Sequence, residues 1–272
     1  MNSKQLRSDI RWTVDSPSLL TSPLCSLKLC RDAELIPTLD MCPEFSPTVG
    51  RYFECIVNGL LHSENGVEIL EHSLQIFDND RTIGELDFIY RRPSGLITHL
   101  EVAVKFYLYY ENKIDKQCYF IGPNPTDTFE NKIQRLLQHQ LPLSQKAYPA
   151  VNDRQAFMKG SIFYPPNAKA KKRLPRNLNP AHSRGTWIFA NNLAYYDMFP
   201  NDVFAICEKP HWLAFPLDES RYQSHTQIRQ IVIERFRRQC RPLMLSRLKK
   251  EDGYYIEQER LFVVPEGWPN LN

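Results

Sequence analysis

The sequence predicts an α/β (α+β) protein, a mixed sheet flanked by helices with additional strands and helices towards the C-terminus. Three observations carry that expectation. An apolar helical stripe at 51–62 precedes three extended segments between residues 71 and 110, and helical spacing returns at 127–141. That succession of helix, three-strand meander and helix is the pattern of an α/β or α+β unit. The 272 residues, 42% hydrophobic and 24% charged, have an ordinary globular composition and enough length for a sizeable core.

Each element has a local reason. Residues 1–49 are broken by Pro17, Pro23, Pro37, Pro43 and Pro47, so short helices and loops are expected to wrap a core built downstream. The segment RYFECIVNGLLH (51–62) sets Phe53, Ile56, Val57, Leu60 and Leu61 on one helical face. EHSLQIF (71–77) joins RTIGELDFIY (81–90) through Asp78-Asn79-Asp80, a turn composition. The turn Arg91–Gly95 leads into LITHLEVAVKFYLYY (96–110), apolar enough for a central strand apart from two charges. DTFENKIQRLLQHQL (127–141) reads as one helix with Asp127 or Thr128 as N-cap.

Beyond residue 150 the pattern predicts strands at 157–165 and 185–191 and an amphipathic helix at 227–239, with Ile228, Ile231, Val232 and Phe236 inward. A closing hairpin is expected from GYYIEQE and RLFVVPEGW. Three regions follow: a wrap over 1–49, a core over 50–150 and a basic α+β extension over 151–272, packed on the same core.

Charge is uneven along the chain. Residues 1–150 hold 15 Lys+Arg against 19 Asp+Glu, and residues 151–272 hold 19 against 12. An acidic half beside a basic half suits a polyanionic partner, and equally two solvated surfaces. No stretch approaches the roughly 18 consecutive apolar residues of a membrane helix. The first twenty residues lack an apolar signal core, so a cytoplasmic protein is expected. The seven cysteines form no CxxC pair and are read as free thiols, with Cys25 and Cys30 a weak zinc candidate. Nucleotide-loop glycine motifs, a GxSxG elbow and HExxH are all absent.

The chemistry concentrates on two strands. In GELDFIY, Glu85 and Asp87 alternate onto one face, and on the next strand Glu101, Ala103 and Lys105 share a face. Unpaired charges in an apolar strand are costly to bury, so a partner is required. A divalent cation such as Mg²⁺ or Mn²⁺ between Asp87 and Glu101 would supply it, with Glu54 reaching in from the preceding helix. A metal there polarises a phosphodiester, and Lys105 is expected to orient water or neutralise charge on phosphorus. The purely structural alternative is a buried Glu101–Lys105 ion pair with Asp87 at its rim.

The blocks GRYFE, RTIGELDFIY, HLEVAVKFYL, IGPNPTDTF and KIQRLLQHQLPLS resemble, in order, a bacterial family called domain of unknown function 1853 (DUF1853). More broadly, Gly50 to Glu54, GELD and the Glu101 strand resemble the PD-(D/E)XK nuclease superfamily. That resemblance implies a restriction-endonuclease-like sheet, metal-dependent phosphodiester cleavage of DNA or RNA, and Glu54, Asp87 and Glu101 as its acids. EVAVK departs from the pattern: Lys105 stands four residues after Glu101, where the superfamily spaces its lysine by two. The displacement leaves a silent nucleic-acid-binding protein, or a scaffold, as alternatives to the enzyme.

Substrate contacts are expected from Lys132 and Gln140 on the following helix and from the basic stretch with Lys171, Lys172 and Arg173. Trp187, Trp212 and Trp268 are either base-stacking platforms or core.

Overall fold

The computed structural model describes residues 3–22, 24, 48–112, 116–166, 168 and 174–269. Lys171, Lys172, Arg173, Cys25 and Cys30 therefore lie outside the described residues. Helix α1 (Ser3–Asp15) and helix α2 (Val49–Ser63) precede the meander β1 (Glu68–Asp78), β2 (Arg81–Arg91) and β3 (Ile97–Glu111). A short β4 (Cys118–Ile121) turns back on β3. Helix α3 (Phe129–Arg135), a π turn (Leu136–Gln140) and helix α4 (Leu141–Ala147) then cross over to β5 (Asp153–Tyr164), which pairs in parallel with β3.

The same sheet continues beyond β5. Strand β6 (Ser183–Phe189), helix α5 (Ala194–Asp197), β7 (Val203–Cys207), the two-residue β8 (Gln223–Ser224), helix α6 (His225–Arg238), β9 (Leu243–Glu251) and β10 (Tyr254–Val264) complete it. The strands run β1-β2-β3-β5-β6-β10-β9-β7-β8, with β4 attached to β3. The pairs β3–β5, β5–β6 and β6–β10 are parallel and the others antiparallel, so the sheet is mixed, as the sequence predicts.

Helices cover both faces. Phe53, Ile56, Val57 and Leu61 of α2 pack on Phe88, Tyr90, Leu100 and Val104. On the other face, Phe129, Ile133 and Leu136 meet Tyr107, Ala156 and Met158, while Leu143 of α4 packs beside Leu86 and Ile89. Strand β3 thus buries both of its faces, which explains its nearly unbroken apolar run. Its close approach to β5 needs a glycine. A Cβ at Gly160, where φ is +141°, would stand 1.7 Å from the Lys105 carbonyl oxygen.

Three expectations are corrected, and a fourth, left open, is decided. The helix over 127–141 is broken by the π turn and extends to Ala147, capped by Thr128, which accepts from Asn131 N–H. Tyr254–Val264 is one continuous strand, and its hairpin partner is β9, joined through the left-handed pair Asp252 and Gly253. Of the two readings of Trp187, Trp212 and Trp268, core is the one that holds, since they are 2–8% exposed. Cys118, Cys207 and Cys240 are free thiols, but Cys55 is disulfide-bonded. No helix among the described residues is long and apolar enough to cross a membrane.

Candidate functional site

Strand geometry brings Asp87 and Glu101 together through a local fault in the ladders. The β2–β3 register runs from Arg91↔Ile97 to Phe88↔Leu100 and ends there, one step before Asp87 would face Glu101. Across β1, the register passes from His72↔Phe88 to Leu74↔Leu86, skipping Ser73 and Asp87. Ser73 has a φ of +52°, outside the extended region. Alternation slips at this point. His72 stacks on Phe88 and hydrogen-bonds Glu54 of α2, whereas Leu74 and Leu86 pack beside Leu143 of α4. Asp87 sits at the slip and accepts the Val102 backbone N–H at 2.7 Å.

Glu101 is 3% exposed. Its Oε1 lies 2.9 Å from His99 Nε2, and its Oε2 accepts a hydrogen bond from the Gln140 amide. A carboxylate oxygen has two lone pairs, so each oxygen keeps acceptor capacity beyond these bonds. Gln140 Oε1 in turn accepts from Lys132 Nζ at 2.8 Å. Eight residues along a regular α-helix leave two side chains about 80° apart. The wider π turn between Lys132 and Gln140 reduces that offset and lets them meet.

Electrostatics follow from this crowding. Burial, and next the neighbouring Glu101 charge, push Asp87 up to about 8, with Glu54 adding to the rise; the Val102 N–H and Lys132 oppose it. Burial lowers the pKa of Lys132, against the pull of Glu101 and Asp87. Glu54 is held below its usual range, first by the hydrogen bond from His72, despite partial burial and with help from Ser73.

The sequence-predicted residues therefore divide. Asp87, Glu101, Gln140 and Lys132 converge. Glu54 belongs to α2 on the opposite face from Gln140 and is bound to His72 and Ser73, 3.0 Å from each, so it acts on Asp87 through space. Lys105 turns to Asp127, with Nζ 2.6 Å from Oδ2, while Thr128, the other N-cap candidate, caps α3. Glu85 is paired across the strand with Gln75 on the surface. Among the described residues, no group of three or more His, Cys, Asp or Glu side chains is placed to hold a metal ion.

Sequence reasoning missed His99, which is fully buried with its Nδ1 unpartnered among the described residues. Its place two residues before Glu101 puts it on the same strand face, a signal that was present. His72 and Ser73 gave none, because a left-handed serine inside a strand cannot be read from alternation.

The fold is that of a mixed α/β protein, a ten-stranded sheet flanked by helices among the described residues. The chain matches the family described as Domain of unknown function (DUF1853) over residues 8–264, and it belongs to that family. No curated protein and no solved structure matches it.

Proposed function

We propose that this protein is a divalent-metal-dependent phosphodiesterase acting on nucleic acid, with the Asp87–Glu101 pair at its centre. The observation that carries the reading is the meeting of these two acids on neighbouring strands, with no arginine or lysine bonded to either among the described residues. Their donor set fits Mg²⁺ or Mn²⁺: hard carboxylate oxygens, partly desolvated and mutually repelling. Mg²⁺ is commonly held by one or two carboxylates, with waters and substrate phosphate completing the shell, so a third protein acid is not needed. Asp87 and Glu101 would hold the ion, which when bound supplies Lewis-acid polarisation of a phosphoryl oxygen and a more acidic water.

The chain's own residues do the rest. His99 and Gln140 fix both oxygens of Glu101, and Gln140 also holds the Lys132 ammonium towards the pair. Lys132 is then the cation suited to neutralise charge building on phosphorus, the role expected of Lys105 from the sequence. Glu54 lowers the local potential from the α2 side. The order helix, three-strand meander, helix crossover and parallel strand agrees with the restriction-endonuclease-like arrangement that the resemblance implies. The basic half of the chain suits a phosphate backbone.

The test is cleavage of single-stranded, double-stranded and structured DNA and RNA with Mg²⁺ or Mn²⁺ against an EDTA control. Asp87→Asn and Glu101→Gln are expected to reduce cleavage by at least ~10²-fold while circular dichroism stays unchanged. Salt-sensitive binding with no cleavage of any substrate by the folded wild type would sink the reading in favour of a silent binder.

A further inference from the structure

A second region with charge to offer lies away from the acid pair, at the C-terminal end of α6. Two adjoining concavities, of about 540 and 460 Å³, share Arg235 and Gln239 and so form one groove. The larger runs from Asn124 in the loop between β4 and α3, past Lys209 and Trp212, to Arg241. The smaller continues beside Arg238 along α6. Four cations, Lys209, Arg235, Arg238 and Arg241, face two anions, Glu208 and Glu234.

These charges are not equally committed. Arg235 is paired with Glu208 at 3.2 Å, and the Lys209 ammonium lies 4.8 Å from the centre of the Trp212 ring. Arg238 and Arg241 are exposed and have no ion-pair partner among the described residues. Cations in the last turn of a helix are explained by the helix dipole, and that accounts for Arg235 and Arg238. It does not account for Arg241 and Lys209, which stand off the helix and line the same hollow. The loop at the groove's end also leads to the candidate site. Its Gly122 N–H bonds the Asp127 carbonyl, Asp127 pairs with Lys105, and α3 with Lys132 begins two residues later.

We propose that this groove is a track for nucleic-acid phosphates, holding the backbone of the same substrate whose cleavage is assigned to Asp87 and Glu101. The inference rests on that functional reading for its choice of ligand. Planar guanidinium groups along a concave surface bind phosphate oxygens in pairs without reading sequence, which is what a phosphate track requires.

The experiment measures binding of a fluorescein-labelled duplex and a labelled single strand, in EDTA, across a salt series. The wild type is expected to bind with a steep loss of affinity as salt rises. Arg238→Ala with Arg241→Ala should weaken low-salt binding by roughly 10-fold or more and make the log–log salt slope shallower by about 2 for the duplex. The double lysine variant, Arg238→Lys with Arg241→Lys, should keep most of the slope, and thermal melts should place all forms within a few degrees of each other.

An unchanged slope in the double alanine variant overturns the groove, as does a wild type that binds neither oligonucleotide. Equal affinity for poly-L-glutamate, lost in the same variant, overturns the nucleic-acid assignment in favour of acidic protein. If the slope falls as expected yet nothing is cleaved with Mg²⁺, the groove stands and the phosphodiesterase reading fails.

Discussion

The two ends of the sheet treat buried charge in opposite ways. In the β7–β9–β10 half, Asp202, Glu257 and Glu259 are each paired with an arginine. Arg260 grips Glu257 with both its Nε, at 2.6 Å, and its Nη2, at 3.0 Å, and donates to the Trp212 and Leu213 carbonyls. Arg247 bridges Asp202 and Glu259. In the β2–β3 half, Asp87 and Glu101 repel one another and are steadied by a backbone N–H, a histidine and an amide. A carboxylate neutralised by a fork of arginine donors has nothing left to do but hold the fold. Two buried carboxylates that repel one another cost stability, and that cost is what marks the pair as a candidate for a functional role.

The contrast is most easily broken at Arg260. Arg260→Met leaves the partly buried Glu257 without its cation and two buried carbonyls without donors, so a loss of about 2–4 kcal/mol is expected, read as a fall of several degrees or more in Tm. Adding Glu257→Leu should recover part of that loss, because a matched apolar pair replaces the unpaired charge. A loss under ~1 kcal/mol in the single variant would show that the arginine network is not what stabilises this half.

Activity sharpens the comparison at the other end. Lys132→Met should reduce cleavage by ~10²-fold with little change in metal affinity, since an ammonium donates no ligand. Lys105→Met should stay within ~10-fold of the wild type, its main effect being a modest destabilisation from leaving Asp127 alone. Paired calorimetric titration with Mn²⁺ and a cleavage assay distinguish the two. Equal losses in both variants would return Lys105 to the mechanism.

Much of this was legible in the chain. The α2 stripe and the meander follow from periodicity of 3.6 and 2, and the burial of Phe53, Ile56, Leu100 and Val104 obeys it, whereas Asp87 sits where that alternation slips. The sheet's far half was harder to see. Strand β9, with its Arg247, Lys249 and Lys250, carries charges that mask its alternation until Asp202 and Glu259 are placed beside it. The lysine exchange was also hidden. Counting along β3 puts Lys105 on the face of Glu101, yet Asp127 arrives from a loop that the strand pattern cannot position. Gln140 reaches Glu101 only because a π turn replaces the expected α-helical one, and a run of LLQHQ does not announce that irregularity.

The smallest effect expected is the most diagnostic, because its sign differs between the two halves. Removing a charge at Arg260 destabilises; removing one at Asp87 should stabilise the metal-free protein. In the fold, the Asp87 carboxyl is raised to about 8 by burial and by Glu101, whereas an unfolded aspartate titrates near ~4. The native state therefore holds a proton that the unfolded chain releases between those values. The stability associated with that proton is fully present below pH ~4 and is lost as pH rises through 8. Asp87→Asn keeps an acceptor for the Val102 N–H but cannot ionise, so its stability should not fall across this window. At pH 8.5 in EDTA it should melt above the wild type by a few degrees, corresponding to ~1 kcal/mol or more, with the gap narrowing towards pH 4. Mn²⁺ should reverse the order by stabilising only the wild type, more strongly at pH 8 than at pH 6, because the ion displaces the Asp87 proton. An Asp87→Asn protein that melts lower than the wild type at every pH, and is indifferent to metal as the wild type is, would mean that the Asp87–Glu101 pair is scaffold after all.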